Sequence, residues 1–260
     1  DASYDTFVAA NHALQGGLQA AARKNEMSER RQVEAARGRE KLEMARQRAN
    51  DEIARVVPAV EYCAAMGAAI SVDTRRAAVL NAALDAGAHM ANDVSALRHD
   101  PTMTELVAAR ACPVVLMHAP GNGDDLHSDG DYDSVVFDVF DSLAARRDEA
   151  IAAGIPRDRI VLDPGIGFGK TLGDNLAIVN ALPLFHALGQ PLMFGASRKR
   201  MIGALSGEAA AHERLGGSIA LAVKAMDAGF QLIRVHDVAE TVAPKPACRR
   251  DDDFVRLAAP

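Results

Sequence analysis

The chain has 260 residues, enough for one large α/β domain or two small ones. Its hydrophobic fraction of 49% supports a sizeable core, and a net charge of -6 argues against nucleic acid as the main partner. No apolar run approaches the ~20 residues of a membrane span, and no secretory leader is visible, so a cytoplasmic location is expected. Cys63, Cys112 and Cys248 are an odd set without metal spacing and read as plain buried thiols in a reducing compartment.

In chain order, the first stretch is the odd one. Between Ala9 and Glu52 the only β-branched residue is Val33, and positions 23–55 are dense in Ala, Glu, Arg, Lys and Gln. Those are strong helix formers and poor strand formers. The expectation is one or two helices without a strand, broken near Gly16 and Gly17, with Gly38 a further interruption.

From Ala68 onward, short apolar runs alternate with amphipathic stretches. Six strands are expected, at 69–73, 89–94, 114–118, 160–163, 191–195 and 232–235. Their near-continuous apolarity suits strands covered on both faces. Helices are expected at 76–86, ending at Gly87, and at 101–111, with Asp100 as N-cap and Pro101 at the first helical position. Further helices are expected at 134–153, carrying Val136, Phe140, Leu143 and Ile151 along one side, at 172–188, at 209–228, and briefly after Asp237, which reads as that helix's cap.

Repeated strand–helix alternation defines a parallel α/β fold, either a barrel or an open doubly wound sheet. The placement of polar residues favours the barrel. Asp73, Asn92, His118, Asp163, Ser197, Arg234 and His236 all fall at or just past strand C-terminal ends. In a barrel those ends converge on one mouth, whereas an open sheet spreads them along a line. The expected fold is therefore a TIM-type (β/α)8-like barrel over residues 52–260, with six strands recognisable, preceded by a helical segment over residues 1–51.

Four motifs carry chemistry. In DPGIGFGKT, residues 163–171, Pro164 stands where a phosphate-binding Walker loop needs Gly, and Lys170 stands where a dinucleotide fingerprint needs Gly. Neither nucleotide motif holds. What remains is a glycine-rich connection behind Asp163, a carboxylate able to accept from two adjacent N–H groups on a flat ligand. In FGASRKR, residues 194–200, three cations follow a strand, which suits an anionic or electron-rich ligand or else a solvated surface run. In RVHD, residues 234–237, Arg234 and His236 share one side of the strand and could form an anion clamp. In SVDTR, residues 71–75, Asp73 at the mouth needs a partner. Asn92, in NDVS, could belong to the mouth or to an Asx turn, and Met117 could be core or lining.

Taken in order, SVDTRR, NDVSAL, VVLMH, LDPGIGFGKT, FGASRKR, RLGGSIA and RVHDVAET resemble the dihydropteroate synthases, the folate-pathway branch of the pterin-binding barrels and the target of sulfonamides. The resemblance runs from about Glu52 to the C-terminus, about four fifths of the chain. It implies a transferase that joins dihydropterin pyrophosphate to 4-aminobenzoate, giving dihydropteroate and pyrophosphate. It further implies that Asp73, Asn92 and Asp163 bind the pterin edge, that Lys199 reaches the pterin carbonyl and ring nitrogen, and that Met117 and Phe168 line the ring pocket. Gly195 would leave room beside the ring, Ser197 and Lys199 would lie near the aminobenzoate, and Arg234 and His236 would hold the pyrophosphate. Lys199, Arg234 and His236 are then the expected catalytic residues. Mg²⁺ is implied with the pyrophosphate, and a homodimer through the last helices, with 209–228 as the contact surface. The family opens with an Asn-Val-Thr-Pro-Asp-Ser-Phe-type strand end, whose Asn supports the metal, and a Gly-Gly-Glu-Ser-Thr-Arg-Pro-type loop. Neither is found here, which keeps a second reading open, a non-catalytic pterin-binding paralogue. A methyltetrahydrofolate-binding domain on the same barrel is disfavoured by FGASRKR and RVHD.

Overall fold

A computed structural model of the protein describes residues 2–121 and 130–242; Cys248 lies outside them. The chain divides into two compact units, Asp1–Glu52 and Ile53–Pro260. Helix α1, Ala2–Ala65, accounts for the first unit and ends in the second. The expected breaks at Gly16, Gly17 and Gly38 do not occur, and the helix also passes Pro58. A helical glycine costs about 1 kcal/mol relative to alanine, too little to interrupt a run so rich in helix formers. The helix stops at Gly67, whose φ of 75° is the left-handed geometry of a helix end.

The second unit holds the six expected strands, the fourth over its full expected range and the other five shortened at one or both ends. They are β1 Ser71–Asp73, β2 Met90–Asp93, β3 Val114–Met117, β4 Ile160–Asp163, β5 Met193–Phe194 and β6 Leu232–Ile233. All pairings are parallel and in chain order, β1 to β4 in one ladder and β5 with β6 in another. A bridge between Leu162 and Leu192 joins the two ladders. The connecting helices are α2 Ala77–Asp85, α3 Met103–Arg110, α4 Val135–Ala152, α5 Leu172–Asn180, α6 Arg200–Leu205, α7 Leu215–Asp227 and, after β6, α8 Val238–Val242.

Three helix expectations need correction. Helix α3 starts at Met103 with Thr102 as its cap. The Asp100 carboxylate instead accepts from the Thr102 backbone and hydroxyl and from the Ala77 backbone, tying this loop to α2. The 172–188 stretch is divided at Ala181, because Pro183 cannot donate to a continuing helix, and a 3-10 helix over Leu182–Leu188 follows. The 209–228 stretch becomes helical in α form only at Leu215.

Period-two alternation along the strands sorts their side chains. Ala91, Val114, Leu116, Ile160, Leu162 and Phe194 point to the helices and join the main core with Phe185 and Phe230. Val72 packs with Val60 of α1 and Ala83 of α2. The opposite faces give a separate apolar cluster of Val115, Val161 and Met193, backed by Met90 and Leu232. Two positions further along each of these inner residues stand Met117, Asp163, Gly195, Asn92 and Arg234, and Asp73 follows Ser71 in the same way. An apolar plug therefore lies beneath a polar rim at the strands' C-terminal ends.

Candidate active site

Asp73, the last residue of β1, is in direct register with Asn92, the last but one of β2. Asn92 Nδ2 donates to Asp73 Oδ2 at 3.2 Å, and Arg234 Nη2 reaches the same oxygen at 3.4 Å from β6, across 161 residues of sequence. Asn92 is buried, and its Oδ1 accepts no hydrogen bond. With Nδ2 committed to Asp73, that oxygen is an acceptor waiting for a donor.

Asp163 is 4% exposed at the end of β4. Burial pushes its carboxyl above the usual range, opposed by the Lys199 charge, the Gly165 N–H, Lys170 and Arg234. The Gly165 N–H donates to its Oδ1 at 2.7 Å. Across from it, Gly195 has no side chain where a Cβ would stand 3.7 Å from Arg234 Cβ and 4.0 Å from Asp163 Oδ2. A methyl there would sit in ordinary contact with both, so the glycine leaves a methyl-sized gap between the acid and the cation.

The DPGIGFGKT loop is a tight turn with φ of 69°, 81° and 54° at Gly165, Gly167 and Gly169. Gly165 is sterically required, since a Cβ there would overlap the His118 carbonyl oxygen. The loop places the Phe168 ring 4.2 Å from Lys199 Nζ, which also donates to the Ile166 carbonyl. Burial lowers the Lys199 pKa to about 8, with Asp163 working against that shift and Arg234 adding to it. Met117, at the end of β3, is buried, and its Cγ borders Gly165.

Ser197 is buried and accepts from the His236 backbone N–H at 3.2 Å, with His236 Nδ1 3.0 Å from its hydroxyl. Arg234 and His236 both lie past the end of β6, and each has a different neighbour, Asp73 for Arg234 and Ser197 for His236.

The three cations of FGASRKR separate. Lys199 enters the mouth. Arg198 adopts φ 58° and turns to Asp237, donating from Nε at 2.9 Å and from Nη2. Arg200 is exposed at the start of α6. Asp237, expected as a helix cap, thus clamps the loop after β5 to the loop after β6. Sequence reasoning also passed over Lys170 and gave little weight to His118. His118 is buried and Lys170 half-buried behind the glycine-rich loop, with Lys170 Nζ 2.9 Å from His118 Nδ1. The signal available was a lysine that fits neither nucleotide motif. Among the described residues no group of three or more His, Cys, Asp or Glu side chains could hold a metal ion, and no helix is long and apolar enough to cross a membrane.

Parallel strand–helix repeats with an apolar plug and a rim of paired acids, amides and cations define a barrel-type ligand-binding protein suited to a flat polar ring with a negative appendage. The family model described as pterin binding enzyme matches residues 35–236, and the chain belongs to that family. It is 44% identical over 196 residues to the dihydropteroate synthase of Neisseria meningitidis serogroup B, covering 74% of this chain and 68% of that enzyme. It is 43% identical over 194 residues to a probable bifunctional folylpolyglutamate synthase/dihydropteroate synthase of Haloferax volcanii, covering 75% of this chain but 23% of that longer protein. Among solved structures, the Xanthomonas albilineans dihydropteroate synthase with 4-aminobenzoic acid superposes with a TM-score of 0.70 at 44% identity, covering 75% of this chain and 69% of that one. The same enzyme with 7,8-dihydropteroate gives 0.70 at 42% identity, over 75% and 73% of the two chains.

Proposed function

We propose that this chain is a dihydropteroate synthase, joining dihydropterin pyrophosphate to 4-aminobenzoate with release of pyrophosphate. The observation that carries the reading is the meeting of Asp73, Asn92, Asp163, Lys199 and Arg234 on one rim around the gap at Gly195. The relatives' names and their bound aminobenzoate and dihydropteroate support it.

In this reading the ring's amino and N–H edge donates to Asp163, to Asp73 and to the free Asn92 Oδ1. Met117 and Phe168 enclose the ring, and Gly195 leaves it room. Lys199 donates to the ring carbonyl and nitrogen. Arg234 and His236 hold the pyrophosphate, and Ser197 lies by the aminobenzoate. The bond from the pterin methylene carbon to the pyrophosphate oxygen breaks, and the electron pair leaves on pyrophosphate, whose charge Arg234 offsets. The delocalised cation is attacked by the arylamine nitrogen, a C–N bond forms, and the amine's proton passes to the released pyrophosphate or to solvent. Mg²⁺ would be held with the substrate's pyrophosphate, next to Arg234 and His236, and would supply further neutralisation of the leaving group's charge. A cytoplasmic site of action and a homodimer through the 209–228 region belong to the same proposal.

Pyrophosphate release by the purified protein tests it. Release that requires both substrates and Mg²⁺ is the expected result. The second reading, a non-catalytic pterin binder, is favoured by one observation: residues 2–65 are helical, and among the described residues no strand precedes Ser71. Pterin binding without amine-dependent release would establish that reading, and no pterin binding at all would overturn both.

A further inference from the structure

Lys170 has no part in the mechanism above, yet it is among the more costly residues to place where it is. Its side chain is half-buried, and an ammonium turned away from water needs a partner for each of its three donors. Here Nζ donates to the Gly165 carbonyl at 2.9 Å, the Phe168 carbonyl at 3.1 Å and His118 Nδ1 at 2.9 Å, with the His118 carbonyl further off at 3.4 Å. None of these partners is a carboxylate. Burial lowers the Lys170 pKa to about 7; the Asp163 charge opposes that shift, the Lys199 charge adds to it, and Asp174 opposes it. An apolar side chain of the same length would leave the Gly165 and Phe168 carbonyls and His118 Nδ1 without this donor.

The acceptors show what the lysine does. Residues 165–169 contain three glycines at positive φ, so side-chain sterics restrain little of this backbone. Hydrogen bonds hold it instead. Asp163 takes the Gly165 N–H and Asn175 the Gly167 N–H. Lys199 takes the Ile166 carbonyl, and the Tyr132 hydroxyl and Gly130 N–H take the Gly169 carbonyl. Lys170 takes the carbonyls at the two ends of the turn, 165 and 168. The ring carried between them is Phe168, which lies against Lys199.

We propose that Lys170 is a positioning residue: seated on His118, it staples the Gly165 and Phe168 carbonyls and so fixes the Phe168 ring beside Lys199 in the substrate mouth. This rests on the reading of that mouth as the pterin and amine site.

A double-mutant cycle tests it. Lys170→Met keeps the length and removes the donors, and Phe168→Ala removes the ring. Each single change is expected to raise the Michaelis constant of the same substrate by about tenfold, the scale of one or two buried polar groups losing their partners. The double variant is expected to be no worse than the poorer single one, because Lys170 acts through Phe168. Multiplying effects, or a Lys170→Met enzyme with unchanged constants, would overturn the proposal. His118→Asn, which retains an acceptor, should preserve the constants, while His118→Leu should move them in the same direction as Lys170→Met. That pair decides the matter if Lys170→Met fails to fold in a thermal melt. The chain contains no Trp, so Phe168→Trp gives a single reporter at the ring. Its emission should change when Lys170→Met is added, and unchanged emission would overturn the proposal even in a protein without turnover. Absent turnover with a changed emission would refute the functional reading alone.

Discussion

Lys199 gathers more of the site's physics than any other side chain. Burial drives its pKa down to about 8, while Asp163 holds it from falling further. It is therefore still cationic at neutral pH but loses its proton as the pH rises through about 8. If the cation is needed at the ring, kcat/KM should decline along an alkaline limb near that value. Lys199→Arg, which stays charged, should move the limb beyond pH 10 even if it lowers the plateau; a pH–rate profile of both proteins checks this. Lys199→Ala should abolish binding or turnover. Asn92 offers a complementary test, because its buried Oδ1 lacks a donor in the ligand-free protein. Asn92→Leu removes that unpaired oxygen together with the Nδ2 donor to Asp73, whose carboxylate is half-exposed and can turn to water instead. The melting temperature should therefore fall only slightly, while loss of the ligand contact, about 1–3 kcal/mol, should weaken pterin binding by at least about fivefold in a titration.

At the scale of elements, helix α7 carries two adjacent glycines with opposite surroundings. A Cβ at Gly216 would meet nothing within 4 Å, whereas one at Gly217 would overlap Ile202 Cγ2 of α6. Gly216→Ala should raise stability by about 0.5–1 kcal/mol through helix propensity. Gly217→Ala should lower it by about 1–3 kcal/mol, since α6 must move away; urea denaturation separates the two. The strands themselves were legible because each is an apolar run with a polar residue just past its end, and period-two alternation then puts Asp73, Asn92, Met117, Asp163, Gly195 and Arg234 on one rim. The unbroken α1 was less legible, since Gly16, Gly17 and Gly38 are only weak breakers in so strongly helical a context. The division at Pro183 was there to be read and was missed. What no local pattern could reveal were pairings set by tertiary approach. Arg198 with Asp237, 39 residues apart, and Lys170 with His118, 52 apart, depend on how the loops meet. A run of three cations does not say which of them faces inward; the left-handed φ at Arg198 decides it.

For the molecule as a whole, the His118–Lys170 pair makes stability depend on pH in a defined sense. The His118 pKa is lowered from 6.5 to about 3, first by burial, then by the Lys170 and Arg98 charges. The Tyr132 ring lies beside it, 6.1 Å away between centroids. In the unfolded chain this histidine takes up a proton near pH 6.5, and in the folded protein only near pH 3. Between those values the unfolded state binds more protons, so stability is fully present above about pH 6.5 and drains away as pH falls toward 3. From about pH 6.5 to 5 the loss from this one group is roughly 2 kcal/mol. Asp93 and Asp163 act in the opposite sense, because burial raises both carboxyls and favours the fold at low pH. The His118 contribution is therefore read as a difference between proteins. His118→Asn removes the titrating group, keeps an acceptor for Lys170, and leaves both aspartates in place. Its melting temperature should fall less than that of the parent between pH 7 and 5, so that the two curves converge on the acid side even if the variant starts lower at neutrality. Parallel curves across that interval would mean that folded His118 takes up its proton as readily as in the unfolded chain, and an imidazole charged by pH 5 while 2.9 Å from Lys170 Nζ could not serve there as the acceptor on which the lysine is seated.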